Sequence, residues 1–265
     1  MMDEVSRAAA ADVRAAIRAP VGAHLPYRGT RVVERAADGW YQLVTPGSSS
    51  VGGNEVLFSS GDADVPAVMA EYAADGVSRF KWCVWEGSEA LEDRLAARGF
   101  ERWEARAMVV ETTAARAVTG PPDVAVEEVT AADARFAAYL ATLAAGWETS
   151  AAEQAELARC LQRVLEVGSG RRHRLYVAWC DGVAVGTGGF VVQQQLDAIY
   201  LTGGVVLPAF RGRGIYRALI AARVADAGGA RFVTTHARSH TSAPILERMG
   251  FRTAAAYRVF LSPPS

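Results

Sequence analysis

The feature that most limits how this chain folds is an internal echo at an offset of about 151 residues. "LAARGF" at 95–100 and "LERMGF" at 246–251 match at an offset of 151, and "SRF" at 78–80 falls near "ARF" at 230–232 at an offset of 152. Each Gly-Phe is followed by a strand-like segment, "RWEARAMVV" in the first half and "TAAAYRVFL" in the second. The shared order of helix, strand, helix, Gly-Phe and strand reads as a tandem duplication. Length agrees, because 265 residues with 51% hydrophobic content allow one large core or two small ones. The stretch "AVTGPPDVAVEEV" at 117–129 places Gly120, Pro121 and Pro122 between two patterned regions, which sets the expected boundary: domain one at 1–120, domain two at 121–265.

Composition narrows the class. Basic and acidic residues number 28 and 29, for a net charge of −1, so nothing global attracts nucleic acid or an anionic surface. Three cysteines at wide spacing, Cys83, Cys160 and Cys180, form no CxxC pair and no zinc-like cluster, and no metal is expected. The first 20 residues carry early acidic groups and no continuous apolar run, so they read as neither signal peptide nor membrane span, and the cytoplasm is the expected location.

In the second half, "VAVEEV" reads as a strand, 131–145 and 151–167 as helices, and "LYVAWCDGVAVGTGGFVV" as a hairpin turning at Asp181-Gly182. A strand at 198–206, a helix from about 213 to 228, a strand at 231–236, a helix at 241–249 and a strand near 253–261 complete it. The class is α+β, with a mixed, mostly antiparallel sheet flanked by helices in each half.

Between the strand at 198–206 and the next helix stands "RGRGIY", residues 211–216. A helix start offers unpaired N–H groups and partial positive charge, and glycines let an anion approach the backbone. Gly212 and Gly214 supply that approach, with charge from Arg211 and Arg213, so a diphosphate is the expected ligand. The Walker and dinucleotide glycine patterns are absent. At the 152 offset the first half has "SSGDAD", Ser59 to Asp64, which repels an anion. Gly203-Gly204 inside a strand predicts a bulge or a close backbone approach.

The stretch "YLTGGVVLPAFRGRGIYRALI", then "RFVTTH" and "SAPILERMGF", resembles the core of the GNAT acyltransferase superfamily, whose acetyl-CoA loop reads [Q/R]-x-x-G-x-[G/A]. Arg211 and Gly214 match its first two fixed places, and Tyr216 departs from the third. The resemblance covers roughly 124–265 and, more weakly, 20–115, so the chain resembles a tandem member whose first copy has lost its CoA loop. It implies acetyl-CoA as co-substrate and an N-acetyltransferase acting on a primary amine, a small molecule first and a protein second. Pantetheine would lie in an opening beside Gly204, Val205 and Val206, with the diphosphate on Gly212, Arg213, Gly214, Ile215 and Tyr216, and Ser239 standing where the family commonly has an Asn.

Amine acylation needs a base, an oxyanion donor and a proton for the thiolate. The resemblance gives the donor role to the amide of Val206. The strand lacks the family's carboxylate, which leaves Glu148 in "GWETS" and His236 as candidate bases, and Leu246 occupies the place of the family's acid tyrosine. The hydroxyl of Tyr216 is then a candidate acid, alongside Ser239, Thr241 and Ser242. An acyl-CoA sensor or partner-binding module with little turnover is the alternative reading. Trp82, Trp85 and Trp103 read as core residues before they read as walls of an acceptor site. Monomer and homodimer both remain open.

Overall fold

The computed structural model describes residues 4–48, 50–147, 149–167 and 172–264. Its strands are β1 (Arg31–Arg35), β2 (Trp40–Val44), β3 (Glu55–Phe58), β4 (Lys81–Trp85), β5 (Glu101–Glu111), β6 (Val124–Val129), β7 (His173–Cys180), β8 (Val183–Gln193), β9 (Ala198–Val206), β10 (Phe232–Arg238) and β11 (Arg252–Leu261). The helices are α1 (Glu4–Arg18), α2 (Val65–Ala74), α3 (Glu89–Ala96), α4 (Thr112–Ala115), α5 (Ala134–Trp147), α6 (Ala151–Glu166), α7 (Ile215–Ala225) and α8 (Ser242–Glu247). All eleven strands join one sheet in the order β1-β2-β3-β4-β11-β5-β10-β9-β8-β7-β6. Neighbours are antiparallel except β3 with β4 and β9 with β10, the two pairs linked by the crossover helices α2 and α7.

The repeat is local chemistry before it is topology. In both copies the glycine of Gly-Phe is left-handed, at φ 78° for Gly99 and 87° for Gly250. Phe100 N–H returns to Leu95 O at 3.3 Å and Phe251 N–H to Leu246 O at 3.1 Å, while the glycine amides reach Ala96 O and Glu247 O. This is a Schellman ending, with its leucine and phenylalanine both buried. Leu246 is thus the residue that closes a helix, held at 0% exposure.

What the repeat does next is exchange its last strands. β5, from the first half, lies between β10 and β11, and β11 lies between β4 and β5. The register sets Tyr257 opposite both Trp85 and Ala105, and His236 opposite Ala107. Phe260 of β11 therefore packs with Trp82, Phe80 and Leu91 in the first half's core, while Met108 and Val110 of β5 pack with Leu219, Ile220 and Leu246 of α7 and α8. On the opposite face α5 and α6 bury Leu143 and Leu161 against Val177 and Val205, and α1 sets Ala15 and Ala16 on Ala107, Val109 and Phe232. Small residues at this contact let α1 sit close over the junction of the halves.

Candidate functional site

The sheet opens where the second half's two parallel strands part. β9 and β10 pair only from Ala198–Leu201 to Phe232–Thr235; β9 then runs on to Val206 along β8, and β10 to Arg238 along β5. The register between β8 and β9 shifts from Thr187↔Val205 to Gly189↔Thr202, so Gly203 and Gly204 stand against the single Gly188. This is the bulge the glycine pair predicts, with Gly203 at φ 61°. Leu207 N–H donates to Val185 O at 2.9 Å. Ladder groups alternate in direction, so Val205 also faces β8, and Val206 turns its N–H and C=O into the opening. Of the strand residues expected to meet pantetheine, Val205 is thus committed to the sheet, and its side chain fills the space beside Gly146, where a Cβ would stand 2.2 Å from Val205 Cγ2.

Below the opening the loop reaches α7 through two left-handed glycines, Gly212 at φ 80° and Gly214 at 77°. Gly214 is the N-cap, no side chain caps the helix, and no acidic residue sits in its first turn. Ile215 is buried and anchors that turn, while Arg211, Gly212, Arg213 and Gly214 are exposed. Arg211 Nε donates to Val206 O at 3.2 Å, which sets its guanidinium at the mouth of the opening. Arg213 differs from expectation: its Nη2 lies 3.8 Å from Asp123 Oδ2 and 3.1 Å from Cys180 Sγ, so its charge is partly answered within the chain.

The matching turn in the first half is closed. There Asp64 is the N-cap of α2, and its carboxylate accepts from Ala67 N–H at 3.1 Å. Asp62 and Asp64 line a pocket of about 470 Å³ with Asp38 and Glu71. A carboxylate already occupies the place an anion would take.

The ring of Tyr216 turns back from α7 onto β9, where a Cβ on Gly204 would lie 3.0 Å from it. Burial raises its pKa, so the hydroxyl stays protonated at neutral pH. Among the described residues that hydroxyl has no hydrogen-bond partner. Ser239 is buried at the end of β10, its N–H donating to Glu104 O at 3.0 Å. Glu148 lies outside the described residues.

His236 is half-buried on β10, and both ring nitrogens are engaged: Nε2 with Ala16 O at 3.0 Å and Nδ1 with the Tyr257 hydroxyl at 2.8 Å. A carbonyl accepts only, so Nε2 carries the hydrogen and Nδ1 accepts from Tyr257. Burial pushes the ring's pKa down to about 4. The lone pair that would take a proton is already bonded. Trp85 stacks on Tyr257 at 4.6 Å and meets His236 edge-on at 5.9 Å, and Tyr200 closes the other side of the ring at 5.6 Å.

The tryptophans divide. Trp82 is core, at 0% exposure, whereas Trp103 receives the guanidinium of Arg238 at 5.0 Å. Trp103 and Arg238 line a pocket of about 420 Å³ with Glu104, His240 and Thr241, drawn from both halves. Sequence reasoning missed Tyr257 and Arg223. Tyr257 stands on a strand that only the exchange brings beside His236, and Arg223 reads as an ordinary helix arginine until its burial is seen.

Fold and site together define a protein of the acetyltransferase fold, built twice, with one helix start left without a side-chain cap behind two left-handed glycines. Residues 171–253 match the family model described as "Acetyltransferase (GNAT) domain". No curated protein matches the chain in sequence. Among solved structures, a functionally unknown conserved protein from Staphylococcus epidermidis ATCC 12228 is similar, with 15% identity, 90% of this chain and 96% of that one covered, and a TM-score of 0.68. A GCN5-related N-acetyltransferase from Kribbella flavida covers 100% and 98%, at 18% identity and TM-score 0.58. A tandem GNAT protein from the clavulanic acid biosynthesis pathway covers 100% and 97%, at 17% identity and TM-score 0.56. The GNAT domain model thus falls within the second half, and the whole chain shares its fold with solved GNAT structures, a tandem one among them.

Proposed function

We propose that the protein is an acetyl-CoA-dependent N-acetyltransferase that acylates a primary amine of a small molecule, with chemistry confined to the second half. The observation that carries this is the contrast between the two helix starts: α7 is uncapped behind two left-handed glycines, while α2 is capped by Asp64. The amides of the first turn of α7 and the guanidinium of Arg211 would hold the diphosphate of CoA. Acetyl-CoA, when bound, would supply the acyl group from its thioester and leave as the CoA thiol.

The chain's own groups then have separate tasks. Val206 N–H, facing the opening, donates to the acyl carbonyl as negative charge builds there. Tyr216, protonated and set against Gly204, gives a proton to the departing sulfur. A thiol pKa of roughly 8.5 makes that proton helpful without being indispensable. His236, neutral and hydrogen-bonded by Tyr257, takes part only by way of that hydroxyl, and Glu148 is the other candidate base. The pocket of Trp103 and Arg238 supplies a wall for an acceptor of small-molecule size. The sheet parting at β9 and β10 leaves positioning to do much of the work.

Calorimetry with acetyl-CoA, followed by CoA release across an amine panel, tests the reading. Micromolar binding that is lost in Arg211→Ala combined with Gly214→Asp supports it; a wild type that binds no acetyl-CoA overturns it. A second reading, an acyl-CoA sensor, draws on Leu246 in the acid's usual place and on the engaged His236. Binding without turnover of any amine favours the sensor.

A further inference from the structure

Arg223, on α7 two turns beyond Tyr216, is 1% exposed, and no carboxylate among the described residues is its partner. Nε donates to Leu219 O at 2.8 Å, and Nη1 to Gly189 O at 3.1 Å and Thr202 O at 3.4 Å. Nη2 is buried without a partner. Gly189 and Thr202 are the pair at the edge of the register shift between β8 and β9. A Cβ on Gly188 would stand 2.9 Å from Arg223 Cζ, so the guanidinium occupies the space that the missing side chain leaves.

A buried guanidinium is costly unless its surroundings answer it, and an apolar residue would fill the same volume more cheaply. The bulge supplies the reason for an arginine. An extra residue in one strand breaks the ladder and leaves carbonyls that need donors. Arg223 reaches them from the helix whose first turn forms the anion-binding end.

Resting on the acyl-CoA reading above, we propose that Arg223 is a positioning residue: its guanidinium, inserted from α7, fixes the bulge at Gly203-Gly204 and so the direction of Val206 N–H. The seven residues from Tyr216 to Arg223 span about 10 Å at 1.5 Å per residue. One rigid helix thus ties the phosphate end to the strand that carries the oxyanion donor. Misplacing such a donor by an ångström is enough to cost about 100-fold in rate.

The test uses the full chain in three variants: Arg223→Met, Arg223→Lys and Gly188→Ala, the last of which keeps the arginine but pushes it aside. Hydrogen exchange is followed in peptides covering 198–206 and, as a control, 81–85. The expected result for Arg223→Met is exchange about 10-fold faster in 198–206 alone, with kcat down about 10- to 100-fold and the acetyl-CoA KM changed less than about 3-fold. Arg223→Lys recovers part of kcat, and Gly188→Ala moves it in the same direction as Arg223→Met. Wild-type exchange in 198–206, or a general loss of protection with kcat intact, overturns the proposal. If Arg223→Met does not fold, Gly188→Ala decides by the same two readouts. Should the wild type bind no acetyl-CoA, the acyl-CoA reading fails while the exchange comparison still shows whether Arg223 holds the bulge.

Discussion

The hydroxyl of Tyr257 donates to Nδ1 of His236 across 2.8 Å, joining β11 to β10 over the intervening β5. Neither residue has its partner on a neighbouring strand. The contact spans Ala105 and Ala107, whose small side chains leave the room for it.

The first prediction concerns pH. His236 is held neutral with its pKa pushed down by burial to about 4, against roughly 6.5 when unfolded. Between those values the unfolded chain binds more protons, so the contribution is whole above pH 6.5 and is lost as pH falls toward 4. His173, pushed to about 4 by burial and then by Arg172, adds a slope of the same sign. The urea midpoint is expected to fall between pH 7 and 4.5, with a shallower fall in His236→Gln, which keeps a donor for Ala16 and an acceptor for Tyr257. An unchanged slope in that variant contradicts the assignment.

Tyr216→Phe separates chemistry from packing. Its hydroxyl has no partner among the described residues, so stability is expected to hold within about 0.5 kcal/mol. Acetyl-CoA affinity by calorimetry stays near wild type while kcat falls about 10-fold or more. A wild-type kcat assigns the thiol's proton to another group.

The two loop glycines are expected to differ. Alanine at either pays for a left-handed backbone, roughly 1–2 kcal/mol. At Gly212 a Cβ meets nothing within 4 Å, but at Gly214 it comes within 3.1 Å of Pro121. Thermal melts should therefore place Gly214→Ala below Gly212→Ala, with acetyl-CoA affinity weakened in both; equal melting points would mean that Pro121 yields freely.

Phe260→Ala probes the exchanged strand. The side chain is fully buried in the first half's core, and its loss is expected to cost about 3–5 kcal/mol. Because β11 also pairs with β5, fluorescence and far-ultraviolet circular dichroism should report one coincident transition, shifted as a whole. Two transitions, one unmoved, would show that the halves unfold independently.

Local chemistry was legible wherever neighbours in sequence suffice. The Gly-Phe endings, the hairpin at Asp181-Gly182 and the left-handed turns at Gly212 and Gly214 all follow from residues a few positions apart. The contrast between "RGRG" and "SSGDAD" was likewise written in the chain, since a carboxylate at an N-cap competes with any anion.

The partners of these elements were decided elsewhere. An alternating strand such as "TAAAYRVFL" specifies which face is apolar, but not which edge it joins, because backbone hydrogen bonds are the same for every neighbour. Exchange of β5 and β11 is a tertiary choice, and with it come the Tyr257–His236 contact and the shared wall at Trp103. Gly120, read from sequence as part of the boundary between the halves, packs so closely on α7 that a Cβ would stand 2.6 Å from Ala218 Cβ. Sequence determined the repeated local pattern and the one glycine turn that leaves a helix start without a side-chain cap. Only the folded sheet decided which arginine is buried beneath the bulge and which strand faces His236, because those distances are set by packing between segments far apart in the chain.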